Sequence, residues 1–523
     1  MPRSIRRRPI WQAVALYAAM TAIVLYPVLS VQVPALCDYL NHLARMHILA
    51  NIDHSEALSR FYRVHWQAIP YLAMDATFVV LDRIASIYNA GRIFVCISII
   101  LPVMSVAMLH FSVHRRLSLV PLTAFLLCYN NLLSWGFLNY LPALCLAVML
   151  FAGWIGSIRW PRWPRVALFC SLATVLYLSH LVAFGAYCLA VGGFELGRAW
   201  RIGFRPWRTI ADDWLVAALQ AIPAVAIALS VNVERPFVGP LPTAFGDLNI
   251  RFMALVSPVM FTGGLADMLG AGFGLLVLYV GLRTGRLRFA PAVWPAALAV
   301  GVVAACMPHW LFGTFNMDVR LPLMVVMLLI GATSTTERLS RRLGCCVLGG
   351  VLLLTAIRSV GIASALATVD GQITEVRQVI SAMPCGMRLL LVDTSARTGP
   401  LPPWATTHVG MLAVIDRDAF VPNLFTGLGT VRPAPELRAA STPNDSPLSL
   451  SELADGLGRS DAPAEDLPNG RGGRIYWWGW DHKFDYVLIL HFDSSSAAVP
   501  GILQRVATSS AADLYRINPS VGP

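Results

Sequence analysis

Residues 10–45 read IWQAVALYAAMTAIVLYPVLSVQVPALCDYLNHLAR. The run from Ile10 to Val31 can cross a bilayer, because a spanning helix needs roughly 20 mainly apolar residues. Arg3, Arg6, Arg7 and Arg8 precede it and a polar segment follows from Gln32, so its basic end is expected inside. The stretch imitates a secretory signal, with Cys37 after a short Pro-Ala-Leu tract. Its length argues for a retained first span instead, as does Leu36 standing where a lipoprotein cleavage site requires a small residue.

The rest of the chain extends this reading. Of 523 residues, 56% are hydrophobic and only 13% charged, and the mean hydropathy is +0.62, values too apolar for a soluble enzyme of this size. Apolar stretches recur to residue 366. The spans are expected at roughly 11–31, 91–113, 118–134, 138–156, 166–180, 182–197, 213–231, 265–283, 290–306, 321–335 and 344–366. The fold class is therefore a polytopic α-helical membrane protein with about eleven transmembrane helices, its N-terminus inside and its C-terminus outside. Arginines cluster in every second connection, at Arg115 and Arg116, Arg159 to Arg165, Arg198 to Arg208, Arg283 to Arg288 and Arg338 to Arg342, as the positive-inside rule requires. This topology accounts for the net charge of +11, which forms no single basic face and so gives no reason to expect nucleic acid. The setting this implies is a membrane crossed many times, with membrane lipids as partners.

Two segments lie outside the lipid. The first outer loop, 32–90, carries apolar residues at helical spacing, Leu40, Leu43 and Ile48 and then Leu72, Phe78 and Leu81, which predicts two amphipathic helices at the membrane surface. The transmembrane domain then ends at 366, and 367–523 reads as a small extracytoplasmic α/β domain. That domain has a helix over 371–382, strands over 387–392 and 486–492, and a long loop or partial disorder over 432–474. Most of the ten cysteines fall in apolar segments, and no metal-ligand spacing or disulfide framework emerges.

Ionisable residues near lipid are costly, so those on the outer side are the candidates for chemistry. Asp38, His42 and Arg45 stand at i, i+4 and i+7, on one face if 38–50 is helical. The bland alternative is that Asp38 caps the helix and Arg45 reaches headgroups. His180 ends a span at the outer face, Asp318 and Arg320 precede another and are candidates to pair with each other, and Arg358 lies within the last span, where it needs an anionic partner or must snorkel outward. The aromatic run Tyr476, Trp477, Trp478 and Trp480 could stack on sugar but reads better as the core of its own domain.

A first span followed at once by an acidic outer loop, about eleven spans in all, and an outer C-terminal domain together resemble the GT-C superfamily of integral membrane glycosyltransferases. The nearest resemblance is to bacterial protein mannosyltransferases and the aminoarabinose transferase. The matching motifs are Cys-Asp-Tyr-Leu-Asn-His-Leu-Ala-Arg at 37–45, Leu-Ser-His at 178–180 and Asp-Val-Arg at 318–320. The resemblance implies transfer of a sugar from a polyprenyl-phosphate donor to a glycan, lipid or protein acceptor at the outer face. Asp38 would be the catalytic residue, and His42, Arg45, His180, Asp318, Arg320 and Arg358 would bind substrate. Some relatives pair two acids around a divalent metal. Here no second acid follows Asp38 until Asp53, so no cofactor is expected and a metal is not favoured. The rival readings are a transporter or flippase for a lipid-linked or anionic substrate, and a non-catalytic envelope protein. The topology is tested by a reporter that works only outside the cytoplasm, fused after Asp370. It should be active there, and activity of a cytoplasmic reporter alone would mean that the number of crossings is off by one.

Overall fold

The structure is a computed structural model that describes residues 10–203, 207–231, 242–394, 399–426, 430–442, 447–459, 476–492 and 499–518. The basic cluster at Arg3 to Arg8 and part of the 432–474 segment lie outside them. Among the described residues, five helices are long and apolar enough to cross a membrane: Trp11–Leu29, Ile87–His114, Leu181–Arg201, Leu265–Arg283 and Arg341–Ser381. The pair Trp207–Leu219 and Ile222–Ser230, bent by 42° where Pro223 opens the second helix, makes a sixth if it counts as one span. The protein is thus a multi-pass membrane protein.

Several expected spans are shorter or less regular. The stretch 118–134 holds a 3-10 helix, Val120–Leu127, and a four-residue helix, Asn131–Ser134, because Pro121 and the Asn130 cap divide it. Pro322–Ala332 stops where Thr333–Thr335, a run of residues poor at continuing a helix, pairs antiparallel with Leu287–Phe289. That pairing also takes up the residues ahead of helix Trp294–Cys306.

The 41-residue helix Arg341–Ser381 joins the two parts of the molecule. It is about 60 Å long, twice the thickness of a hydrocarbon core of about 30 Å, so its last turns rise clear of the lipid. The domain boundary expected after 366 falls within it. Its Asp370 carboxylate accepts the backbone N–H groups of Gln32 (3.1 Å) and Val33 (2.9 Å), fixing the end of the first span. Its Arg377 pairs with Asp416 at 2.7 Å, and Tyr88 donates to the same carboxylate.

Beyond this helix a four-stranded sheet forms. Leu389–Asp393 runs parallel to Tyr486–Leu490, which is antiparallel to Ala512–Ile517, itself antiparallel to Leu503–Thr508. The strand YVLIL is buried on both faces, as its unbroken apolar sequence requires. Tyr476 and Trp480 are buried, and the Trp480 indole donates to Leu453 O at 2.8 Å. Within 432–474 the described parts are ordered: Val431–Pro433 pairs with Tyr62–Val64 of the first outer loop, and Leu450–Gly456 is a helix with a capping box.

The first-loop helix Tyr39–Asn51 is not a surface helix. Ten of its residues are buried, because the C-terminal region covers the face that the sequence leaves polar. His47 Nε2 donates to the Asp418 carboxylate at 2.8 Å, and Ser55 donates to the same carboxylate at 2.7 Å.

Arg358 is held inside the protein. Its Nε donates to Asp267 at 2.9 Å, Nη1 to Leu126 O at 2.7 Å, and Nη2 to Tyr129 O and Val259 O at 2.8 and 2.6 Å. Asp267 in turn accepts the N–H groups of Phe261, Thr262 and Gly263. A buried charge must be compensated, and here the compensation is internal, so the expected role of Arg358 in substrate binding gives way to that of a staple across four segments. Arg358→Met should leave Asp267 uncompensated and cost about 3–5 kcal/mol, read by denaturation of the detergent-purified protein. The double variant Arg358→Met/Asp267→Leu should recover much of the loss. A single variant as stable as wild type would remove the staple from the account.

Candidate active site

Asp38 occupies the N-cap position of helix Tyr39–Asn51, yet its side chain makes no capping hydrogen bond. Its backbone is held from below instead. The N–H groups of Cys37 and Asp38 each donate at 3.1 Å, to Ser134 O and Trp135 O respectively. Gly136 permits this approach: it has φ +70°, and a Cβ there would lie 2.7 Å from the Asp38 nitrogen. The carboxylate is left to face His408 of the C-terminal region, whose Nε2 is 3.5 Å from Oδ1, and it keeps 17% exposure.

One turn along, Asn41 holds the roof of the site. Its Nδ2 donates to Asn423 O at 2.9 Å and contacts His408 Nδ1 at 3.2 Å, while its Oδ1 accepts from the Phe425 N–H at 2.8 Å. Phe425 lies edge-on to both His42 and His408, at 5.6 and 5.1 Å. Burial pushes His42 down to about 4, against the pull of the Asp38 carboxylate, and the charges of Arg45 and His408 add to the drop.

The remaining expected residues divide into two groups. Arg45 does not reach outward: its Nη2 bonds Asp75 at 2.9 and 3.2 Å, and Thr430 donates to the same carboxylate. Asp318 pairs with His309 at 3.0 Å rather than with Arg320. Arg320 is buried against the rings of Phe137 and Tyr140, 4.7 and 5.2 Å from their centroids, and among described residues its guanidinium makes one long hydrogen bond, to Phe315 O at 3.4 Å. Its Nε has no described partner, and its charge acts on Asp38, Tyr71 and His180. His180 caps helix Leu181–Arg201 by accepting the Val182 N–H at 3.1 Å, between the edges of Tyr71 and Tyr140 at 5.1 and 4.8 Å. Tyr71 reaches it from a left-handed conformation, φ +85°, strained for a bulky residue.

Asp38, His42, His180 and Arg320 are therefore brought together, Arg45 lies behind them as the partner of Asp75, and Asp318 and Arg358 are committed to other partners. Sequence reasoning missed His408, Asn41, Tyr71, Tyr140 and Asp75. His408 follows the Pro-Pro-Trp run at 402–404, a turn signal in an otherwise unmarked segment, and nothing local ties it to Asp38. Cys37 Sγ, an Asp38 oxygen and a His408 nitrogen lie within 4.8 Å of one another, a donor set of a kind that holds zinc.

The depressed His42 sets a pH dependence. The unfolded chain takes up a proton near the ordinary value of 6.5 and the folded chain only near 4, so stability is full above the higher value and declines as pH falls between the two. Melting temperatures of the purified protein should drop from pH 7 to pH 4.5, and His42→Gln should flatten that drop. An identical profile in the variant would show that His42 does not carry it.

No family model matches the chain, and no curated protein does. Among solved structures, ArnT from Cupriavidus metallidurans, bound to undecaprenyl phosphate, is similar to this chain over 98% of its length and 99% of the ArnT chain, with a TM-score of 0.52 and 12% identity. At that identity the likeness speaks to architecture alone. The chain shares, from end to end, the fold of ArnT.

Proposed function

We propose that this protein moves a sugar from a polyprenyl-phosphate-linked donor to an acceptor hydroxyl at the outer face of a bacterial cytoplasmic membrane. About eleven crossings, an inner N-terminus and an outer C-terminal domain belong to the same reading. The observation that carries it is the pairing of unlike needs at one spot: a partly exposed carboxylate, Asp38, within reach of the charge of a buried, under-bonded guanidinium, Arg320. ArnT, which has the same fold, is a protein solved with undecaprenyl phosphate.

The chemistry follows from the two charges. The acceptor oxygen attacks the anomeric carbon and loses its proton to the Asp38 carboxylate, as the bond from that carbon to the phosphate oxygen breaks. The departing polyprenyl phosphate leaves with an added negative charge, which a cation must meet. Arg320 supplies it, since a guanidinium matches phosphate oxygens in a fork and loses little by giving up one long hydrogen bond. His408 orients the Asp38 carboxylate, and Asn41 orients His408. This scheme needs no metal. If a divalent ion is resident, Cys37, Asp38 and His408 are the residues that would hold it, and chelation would then abolish turnover.

The transporter reading loses its main support, because the charge of Arg358 is neutralised by Asp267 rather than offered to a passing anion. The envelope-protein reading requires that Asp38, His180 and Arg320 stay apart, and the charge of Arg320 acting on both of the others argues against it. Asp38→Asn should remove transfer while leaving the protein folded and inserted, since the amide is nearly isosteric but a far poorer base. Arg320→Ala should cost about a hundredfold in turnover, with partial rescue by Arg320→Lys. The measurement is lipid-linked and acceptor glycan profiles in a deletion strain complemented with each variant, per unit of inserted protein. Near-normal product with Asp38→Asn would sink the assignment of the base.

A further inference from the structure

Next to Asp38 stands an aromatic group that the proposed transfer does not use. Trp135, whose carbonyl accepts the Asp38 N–H, lies parallel to Trp404 with ring centroids 4.6 Å apart and planes 6° apart. Phe315 meets Trp135 edge-on at 5.4 Å and is itself packed against Trp310 and His309, at 4.8 Å each. The two tryptophans come from opposite halves of the chain. Trp135 follows the short helix Asn131–Ser134 at the outer end of the membrane domain, and Trp404 sits in the turn Pro403–Thr406, four residues before the His408 that faces Asp38.

This group is not a finished core. Both indoles are only partly buried, and the face of Trp404 turned from Trp135 meets no other described ring. Two hydrogen-bond donors nearby have no described partner: Trp404 Nε1, and the Nδ2 of Asn316, which is 97% buried. Asn316 directly follows Phe315 and takes a left-handed conformation, φ +55°. A buried donor left unmade is costly, so such atoms persist where a ligand completes them. The nearby acid, Asp318, is already paired with His309, which leaves no free charge among the described residues of this group.

We infer that the Trp135–Trp404 shelf is the acceptor subsite and that the acceptor is a carbohydrate. A pyranose offers flat faces of C–H groups for an indole and hydroxyls for the two unmade donors, a combination that neither an acyl chain nor a charged peptide provides. The shelf is tied to Asp38 from both sides, through the Trp135 carbonyl that accepts the Asp38 N–H and through His408, four residues after Trp404. The inference rests on the transferase reading for the site's purpose, but its test does not.

The full-length protein in detergent is applied to an array of neutral and acidic oligosaccharides, alongside an acyl-chain probe and a panel of unglycosylated peptides. Wild type should bind glycans. Trp404→Phe, which keeps an aromatic face, should bind within a few-fold of wild type, and Trp404→Leu, of similar bulk but without a ring, should lose about tenfold. Equal binding by the Phe and Leu variants, no glycan binding by wild type, or binding confined to the acyl or peptide probes would each overturn the inference. Undecaprenyl phosphate binding, measured on the same wild-type preparation and on Arg320→Ala, reports separately on the donor. Its absence would defeat the transferase reading while leaving the glycan result standing.

Discussion

Asn41 is fully buried at the contact between the first outer loop and the C-terminal region, and all of its described hydrogen bonds are made across that contact. Leaving a buried polar group unmade costs about 1–3 kcal/mol, so helix Tyr39–Asn51 cannot settle in its place until residues 408–425 have come to it. The same docking carries His408 to Asp38, Thr430 to Asp75 and Asp418 to His47. The site therefore exists only in the assembled molecule. Neither the apolar helices nor the C-terminal sheet contains it alone.

Most buried or half-buried cations among the described residues have an acidic partner; Arg165, held by Ser157 and the Trp154 carbonyl, and Arg320 do not. Arg45 has Asp75, Arg358 has Asp267, Arg377 has Asp416, Arg388 has Asp485, and His309 has Asp318. These pairs neutralise what the lipid and the protein interior would not tolerate. Arg320 is as deeply buried as most of them but rests on aromatic faces and one long hydrogen bond. A cation held this way keeps most of its capacity to bind an anion, and its charge is felt by Asp38, the carboxylate expected to act as base.

The C-terminal region is thus more than an attachment. Its 400–425 segment supplies the partner of Asp38, the roof over His42 and half of the aromatic shelf. The helix Arg341–Ser381 fixes how far that segment stands from the membrane, since it is continuous from lipid to sheet and is tied to the first span through Asp370. A rigid rod of this kind holds the two halves of a composite site in register.

Much of the architecture was legible along the chain, because bilayer thickness imposes a length and a polarity that any spanning helix must satisfy locally. The first span, the long spans at 87–114 and 341–381, and the buried strand at 486–490 all follow from runs of apolar residues. Where a run was broken by Pro121 or ended in the threonine-containing tract 333–336, helix length departed from expectation, since pairing and packing decide such segments. Asp38 stood out from its position after the first span. The roles of Arg45, Asp318 and Arg358 could not be read, because the identity of a charge is local but its partner is not: Asp75, His309 and Asp267 lie 30, 9 and 91 residues away. His408, 370 positions from Asp38, had no sequence signal at all. Sequence determined which segments the membrane would accept and which residues would need compensation there; only the tertiary structure decided who compensates whom, because partners far apart in the chain meet only when it folds.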